Sequence, residues 1–365
     1  MWIWEWNSSD GGDADEIVQQ AVSAGLHQLW IRVGDSMNGF YGAGELDDLV
    51  PVAHAHGIAV IAWGFPYLWN PVNDAQWTAQ ILNWRAPDGQ QVDGYSADIE
   101  EETEGVMLSA QRAAVYLELV RQAAGSRLVV ATVYPPTDAD WDGGYPYGAM
   151  APYIDAFAPM VYWECTEPST DAALDVARLS TLRPVDVIGE AFNFADVGGR
   201  TVSPSGAEIT AFLSASQRAG ALGASFWVWQ EATSDEWAAL STFPWSAVAF
   251  PPMPSRVKGN SDVRANRRAF PVKVTSVSAA LEPYNLEFTN QGVPAEVVTF
   301  TVSSVPAGNL SCKIDVLRSG HIVGSTSMNS FSGGSRVLAE SVQVAKISGD
   351  TFAGRPSNAR VICHP

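Results

Sequence analysis

Lysine is absent from the first 257 residues; all four lysines (Lys258, Lys273, Lys313 and Lys346) come later. A lysine Schiff base, including lysine-bound pyridoxal phosphate, is therefore excluded from that stretch. Cysteine is scarce as well, with Cys165 alone in the first part and Cys312 and Cys363 in the second. The latter pair leaves two readings open, a disulfide formed in an oxidising compartment or two buried thiols. No CxxC, HExxH or comparable ligand spacing occurs, so neither a metal site nor a cofactor is expected. His27, His54 and His56 fall in helical or turn-like stretches and read as surface or helix-end residues. Apolar runs are too short for a membrane-spanning helix, so no membrane insertion is expected. The opening MWIWEW lacks the basic and long apolar segments of a signal peptide, and none is expected.

Basic charge is the remaining shortage. The 365 residues hold 40 Asp and Glu against 21 Lys and Arg, a formal charge of −19. Residues 1–252 carry nine basic against 33 acidic side chains, a net of −24, while residues 253–365 carry 12 against seven, a net of +5. All 14 tryptophans lie in the first part. Two structural units with different surfaces follow from this split. An acidic first unit is a poor partner for nucleic acid, whose phosphates require clustered Lys and Arg. It points instead to a neutral or cationic substrate.

With 47% hydrophobic residues the chain can build a sizeable core. Apolar, β-rich segments recur at 2–6, 28–33, 58–63, 92–99, 127–134, 155–163, 185–194 and 224–229. Helix-period stretches alternate with them at 14–24, 45–56, 74–84, 107–124, 170–180 and 206–219. Eight such units in about 250 residues is the size expected of an α/β fold of the (β/α)8 TIM barrel type. The last helix has start and stop signals, Ser205 as N-cap, Glu208 three residues on and Gly220 at the end. From Phe250 the texture changes to a Pro/Gly/polar linker and then short β-branched runs, VKVTSVS, EVVTFTVSS, CKIDVLRSG and ARVIC. The expected organisation is a barrel over 1–250, a linker over 251–265 and a small C-terminal β-sandwich over 266–365. This second domain shows no catalytic constellation and is expected to be accessory, serving binding, spacing or assembly, the last through an assembly partner.

In such a barrel, chemistry gathers at the C-terminal strand ends. The residues expected there are Trp6, Trp63, Asp98, Glu100, Tyr134, Tyr162, Trp163, Glu190, Trp227 and Trp229. Carboxylates ringed by aromatic platforms suit carbohydrate, since sugar rings stack their C–H faces on Trp and Tyr while carboxylates do acid/base work. Asp98 and Glu100 are two apart, which puts both on one face of an extended strand. Two like charges at short range raise the pKa of one, which would keep Glu100 protonated as a general acid. Glu101, Glu102 and Glu104 read as a solvated acidic loop before a helix.

DGYSADIE (Asp93–Glu100) resembles the fourth-strand signature DGxDxDxE of chitinase-like family-18 glycoside hydrolases. APMVYW (Ala158–Trp163) is similar to that family's sixth-strand M-x-Y-D/N motif, and Trp227 or Trp229 fits its tryptophan at the eighth strand. The D-x-E element with Gly105 nearby also resembles family-25 lysozymes. The resemblance implies that Glu100 protonates the leaving oxygen, Asp98 orients the substrate's N-acetyl group and Tyr162 hydrogen-bonds its carbonyl. It implies cleavage of an N-acetylhexosamine-containing glycan, peptidoglycan or chitin-like. Two positions depart: Ser96 stands where the family has its first Asp, and Trp163 where it has Asp or Asn. A fourth-strand acid with Glu190 on the seventh strand also resembles the two-glutamate retaining glycosidases, in which Glu100 would be acid/base and Glu190 nucleophile. That clan's Asn before the glutamate is Ile99 here. The alternative expectation is a non-catalytic glycan-binding module of a phage tail or cell-surface assembly. Either way, an extracellular or virion-associated location is expected.

Overall fold

The structure is a computed structural model. It describes residues 1–138, 144–163, 168–193 and 201–245, together with six later strands. Two compact units partition the chain, one of Met1–Pro66, Asp74–Glu100 and Leu117–Pro252, the other of Tyr67–Asn73, Glu101–Tyr116 and Met253–Pro365. The expected linker over 251–265 lies outside the described residues.

The first unit is α/β. Its strands are β1 (Trp2–Ile3), β2 (Gln28–Asp35), β3 (Gly39–Phe40), β4 (Ala59–Phe65), β5 (Gly94–Asp98), β6 (Leu128–Val133), β7 (Ala156–Pro159), β8 (Asp186–Glu190) and β9 (Gly223–Trp227). β1, β2, β4, β5, β6 and β7 pair in that order, all parallel, with the short β3 antiparallel to β2. Parallel bridges Phe157–Val185 and Met160–Ile188 carry the curve to β8, which pairs with β9 in parallel. Trp2 of β1 donates through Nε1 to Ser225 Oγ of β9 at 2.9 Å. The helices between are α1 (Ala14–Ser23), α2 (Ala43–Ala55), α3 (Pro71–Asn83), α4 (Ala110–Ala124), α5 (Tyr147–Met150), α6 (Pro168–Leu179), α7 (Gly206–Ala219) and α8 (Ser234–Thr242).

Local chemistry accounts for several boundaries. The Asp13 carboxylate accepts from the Asp15 and Glu16 N–H groups and starts α1. Ser205 and Glu208 form the expected capping box on α7, and Gly220 ends it at φ 90°. The expected first strand over 2–6 is shorter than its apolar run. It stops at Ile3, and Trp6–Ser8 turns into a 3-10 helix.

The inner face of the parallel sheet is filled by aromatics. Trp2, Trp30, Ile61, Trp63, Val130, Ala156, Ala158 and Ile188 form one buried cluster. Trp2 stacks on Trp30 with centroids 4.6 Å apart, and Trp63 meets Trp2 edge-on at 5.6 Å. These three rings are at most 1% exposed and close the floor beneath the C-terminal strand ends. The outer face, against the helices, carries the alternate residues; Tyr95 packs against Trp77 and Phe226 against Phe212.

In the second unit, six strands form two antiparallel sheets. β10 (Lys273–Glu282), β11 (Ala295–Val305) and β14 (Gly334–Gln343) make one; β13 (His321–Ser330), β12 (Leu310–Arg318) and β15 (Asn358–His364) make the other. Cys312 and Cys363 face each other across β12 and β15 and are disulfide-bonded. Of the two readings that spacing left open, the bonded one holds. On the same sheet Asp315 accepts from Arg360 and from Ser325, which holds its carboxyl below the ordinary range.

Candidate active site

The C-terminal ends of the parallel strands enclose a cavity of about 160 Å3 lined by Trp2, Asp98, Glu100, Thr132, Met160, Tyr162, Ile188 and Trp227. Four of the ten residues expected at the site meet there: Asp98, Glu100, Tyr162 and Trp227. Asp98 ends β5, while Glu100 lies two residues past it rather than within the strand. The intervening Ile99 explains why both side chains still face the cavity. Its N–H donates to the Thr132 carbonyl at 3.0 Å, and its carbonyl accepts from the Tyr145 hydroxyl. Gripped from both neighbours, the backbone at Ile99 keeps its extended direction beyond the last ladder pair.

Below Asp98 on the same face, Ser96 is fully buried and shares a hydrogen bond of 2.9 Å with Thr132. A neutral hydroxyl pair thus occupies the place where the resembled signature has a charge. Tyr162 lies at the cavity wall beyond β7. Burial raises its phenol well above the usual range, and the Asp98, Glu100 and Glu190 charges, then Tyr134, add to the effect. Its proton therefore stays on throughout the neutral and acid range, and the phenol serves as a donor. Tyr145 is raised in the same way, first by burial, then by Tyr147, Glu100 and Asp98.

The other expected residues lie elsewhere. Glu190 is fully buried at the end of β8 and accepts the Trp163 backbone N–H at 2.6 Å through Oε2; it is not on the cavity wall. Trp163 faces outward, its ring 5.1 Å from Phe212 of α7. Trp229 donates to Asp10 and packs edge-on against Trp237. Trp6 belongs to the 3-10 turn after β1. Trp63 lies beneath the cavity, 5.4 Å from Trp227, with its Nε1 on the Ile3 carbonyl. Tyr134 carries the Tyr147 hydroxyl on its carbonyl at 2.8 Å and is within electrostatic reach of Tyr162.

Trp2, Thr132, Met160 and Ile188 were not anticipated as wall residues. Strand alternation contains the signal: Met160 is two before Tyr162, Ile188 two before Glu190, and Thr132 two before Tyr134. Attention to polar residues alone passes over them.

No protein-family model matches the sequence, and no curated protein matches it. Among solved structures, the chain is similar to a class V chitinase from Pseudomonas fluorescens Pf-5, with 12% identity over 66% of this chain and 97% of that one, and a TM-score of 0.48. It is also similar to the spore cortex-lytic enzyme SleL of Bacillus megaterium QM B1551, with 10% identity over 68% and 74% of the two chains and a TM-score of 0.47. The PgaB (BpsB) glycoside hydrolase domain of Bordetella bronchiseptica is a third, with 10% identity over 66% and 97% and a TM-score of 0.46. The chain's structural neighbours are thus chitinase-like and other glycoside hydrolase proteins.

Proposed function

We propose that the protein is a glycoside hydrolase that cleaves an N-acetylhexosamine-containing glycan, peptidoglycan or chitin-like. We read the eight parallel strands as a (β/α)8 barrel whose seam between β9 and β1 is made by side chains, and the later sheets as a β-sandwich. The observation that carries the function is the meeting of Asp98, Glu100 and Tyr162 in one small cavity with Trp227. Each supplies a part that a substrate-assisted reaction needs.

A sugar ring stacks on Trp227, and the glycosidic oxygen faces Glu100. Glu100 gives its proton to that oxygen as the bond to the anomeric carbon breaks. The carbonyl oxygen of the substrate's own acetamido group attacks the anomeric carbon and forms a cyclic cationic intermediate. Asp98 holds the acetamido N–H and balances the new positive charge, while the Tyr162 hydroxyl positions the carbonyl. Water then adds at the anomeric carbon and returns a proton to Glu100. No protein nucleophile is needed. The buried Glu190, engaged with the Trp163 N–H, is less suited to covalent attack than a carboxylate on the wall, which ranks the two-glutamate mechanism second.

The Ser96–Thr132 pair favours a second reading, a glycan-binding protein without turnover, carried in a phage tail or cell-surface assembly by its C-terminal domain. A neutral hydroxyl there removes one charge that would tune Asp98. Chitin oligomers, peptidoglycan and their de-N-acetylated forms separate the two. Release of reducing ends from N-acetylated glycans alone, lost in Asp98→Asn and Glu100→Gln, supports hydrolysis. Binding without release supports the second reading. Hydrolysis unchanged by both substitutions would remove the proposed mechanism.

A further inference from the structure

Glu190 closes β8, a strand whose five residues are all buried, and is itself wholly removed from solvent. A carboxyl group withdrawn this far from water destabilises a fold unless its oxygens are hydrogen-bonded. An aliphatic side chain would fill the place without that cost, so the acid implies a role. Its hydrogen bond shows one. Where β7 runs beside β8, Met160 is bridged to Ile188, and the Val161 N–H donates to the Ile188 carbonyl at 2.8 Å. One step further along such a ladder, the Trp163 N–H would meet the main-chain carbonyl of Glu190. It donates instead to the Glu190 side chain, at 2.6 Å from Oε2.

Tyr162 lies between these two anchors. Val161 before it and Trp163 after it are both tied to the end of β8, which leaves its backbone little freedom to turn. Phe192, two residues beyond Glu190, meets the Tyr162 ring edge-on with centroids 5.4 Å apart. The phenol that lines the cavity is thus aimed from β8 as well as from its own segment. On the other side, Glu190 is in register with Trp227, and the Ala191 N–H donates to the Trp227 carbonyl at 2.5 Å. The end of β8 therefore links the two wall residues assigned to the acetamido carbonyl and to the sugar ring.

We infer that Glu190 is the positioning residue for Tyr162: as acceptor of the Trp163 N–H it sets where the Tyr162 hydroxyl meets the substrate, and it takes no part in covalent attack. This rests on the hydrolase reading of the cavity. The test is a double-mutant cycle in the full-length protein, with kcat and KM on a β-1,4 N-acetylglucosamine tetramer. The variants are Glu190→Gln, Glu190→Leu, Tyr162→Phe and Glu190→Leu combined with Tyr162→Phe; Glu190→Met replaces Glu190→Leu if the latter does not fold. A glutamine oxygen can accept the same bond, so Glu190→Gln is expected to keep kcat within about fivefold of wild type. Glu190→Leu, which has no acceptor, is expected to lower kcat by about 10²-fold with KM changed far less. Both changes act through one hydroxyl, so the double variant should be no slower than the slower single one. A merely structural loss would multiply the two effects. Multiplied losses, or an unchanged kcat in Glu190→Leu, would overturn the inference. So would a Glu190→Gln loss as deep as that of Glu190→Leu, which would make the carboxylate the nucleophile. A wild type that releases no reducing ends would sink the hydrolase reading. The same cycle read on tetramer affinity then decides the positioning by itself, coupled losses keeping it and multiplied losses overturning it.

Discussion

Tyr162 shows how a residue's role follows from its surroundings. Burial and three nearby carboxylates keep its phenol protonated, so it can donate to a substrate carbonyl but cannot act as a base near neutral pH. Tyr162→Phe removes one donor from the reacting centre and is expected to lower kcat by about 10²-fold, with KM changed far less. Steady-state kinetics on an N-acetylglucosamine oligomer would check this. The wild-type profile should show no inflection from this phenol below pH 10, so Tyr162→Phe should leave the alkaline limb unmoved. At this scale the sequence was partly legible. Asp98, Glu100 and Tyr162 stood out because their spacing carries a motif. Trp163 and Trp229 looked equivalent to Trp227, since all three end apolar runs. Alternation separates Trp163, on the outward side against Phe212, from Trp227, which shares the inward side of β9 with Ser225. Trp229 has the same parity as Trp227 and differs because the chain has left the strand for a 3-10 turn.

The elements place these side chains through close backbone approach. Gly34 of β2 and Gly64 of β4 lie under the Trp77 ring of α3. A Cβ on Gly64 would come within 2.7 Å of Trp77 Cη2 and 2.8 Å of the Gly34 carbonyl. Backbone cannot yield as a flexible side chain does. Gly64→Ala is therefore expected to cost about 1–3 kcal/mol, read as a lower denaturant midpoint with an unchanged slope. Most of these elements could be anticipated, because long periodic runs such as 206–219 carry both their amphipathic pattern and their caps. β1 and the end of β5 could not. Their apolar runs continue past the last ladder hydrogen bond, and where the chain leaves a sheet depends on partners distant in sequence, such as Tyr145 for Ile99.

Across the whole molecule, burial of acids makes stability depend on pH. Asp175 of α6 is fully buried and accepts from the Thr137 N–H at 2.9 Å and hydroxyl at 3.0 Å. Burial dominates, and its carboxyl is raised to about 7. Folding therefore favours the protonated acid. The associated stability is complete below the ordinary carboxylate range and is lost as pH rises toward 7. Asp186, raised to about 6 mainly by burial, acts in the same direction. Thermal midpoints should fall between about pH 4 and pH 7, and Asp175→Asn, which can keep both Thr137 contacts, should flatten that slope. A slope unchanged in this variant would assign the pH dependence elsewhere. The division of charge, −24 before residue 253 and +5 after it, was visible in composition; which acids are buried was not, because burial is a property of the packed sheet and helices.

The central claim is that Glu100 is the acid that protonates the leaving oxygen. Its most direct measurement is the dependence of Glu100→Gln on leaving group, comparing a β-1,4 N-acetylglucosamine tetramer with a dinitrophenyl N-acetylglucosaminide. An alcohol needs the proton, whereas dinitrophenolate departs without it. The predicted result is a fall in kcat of about 10³-fold or more on the tetramer and of less than about tenfold on the aryl substrate. Equal losses on both substrates, or none on either, would contradict it.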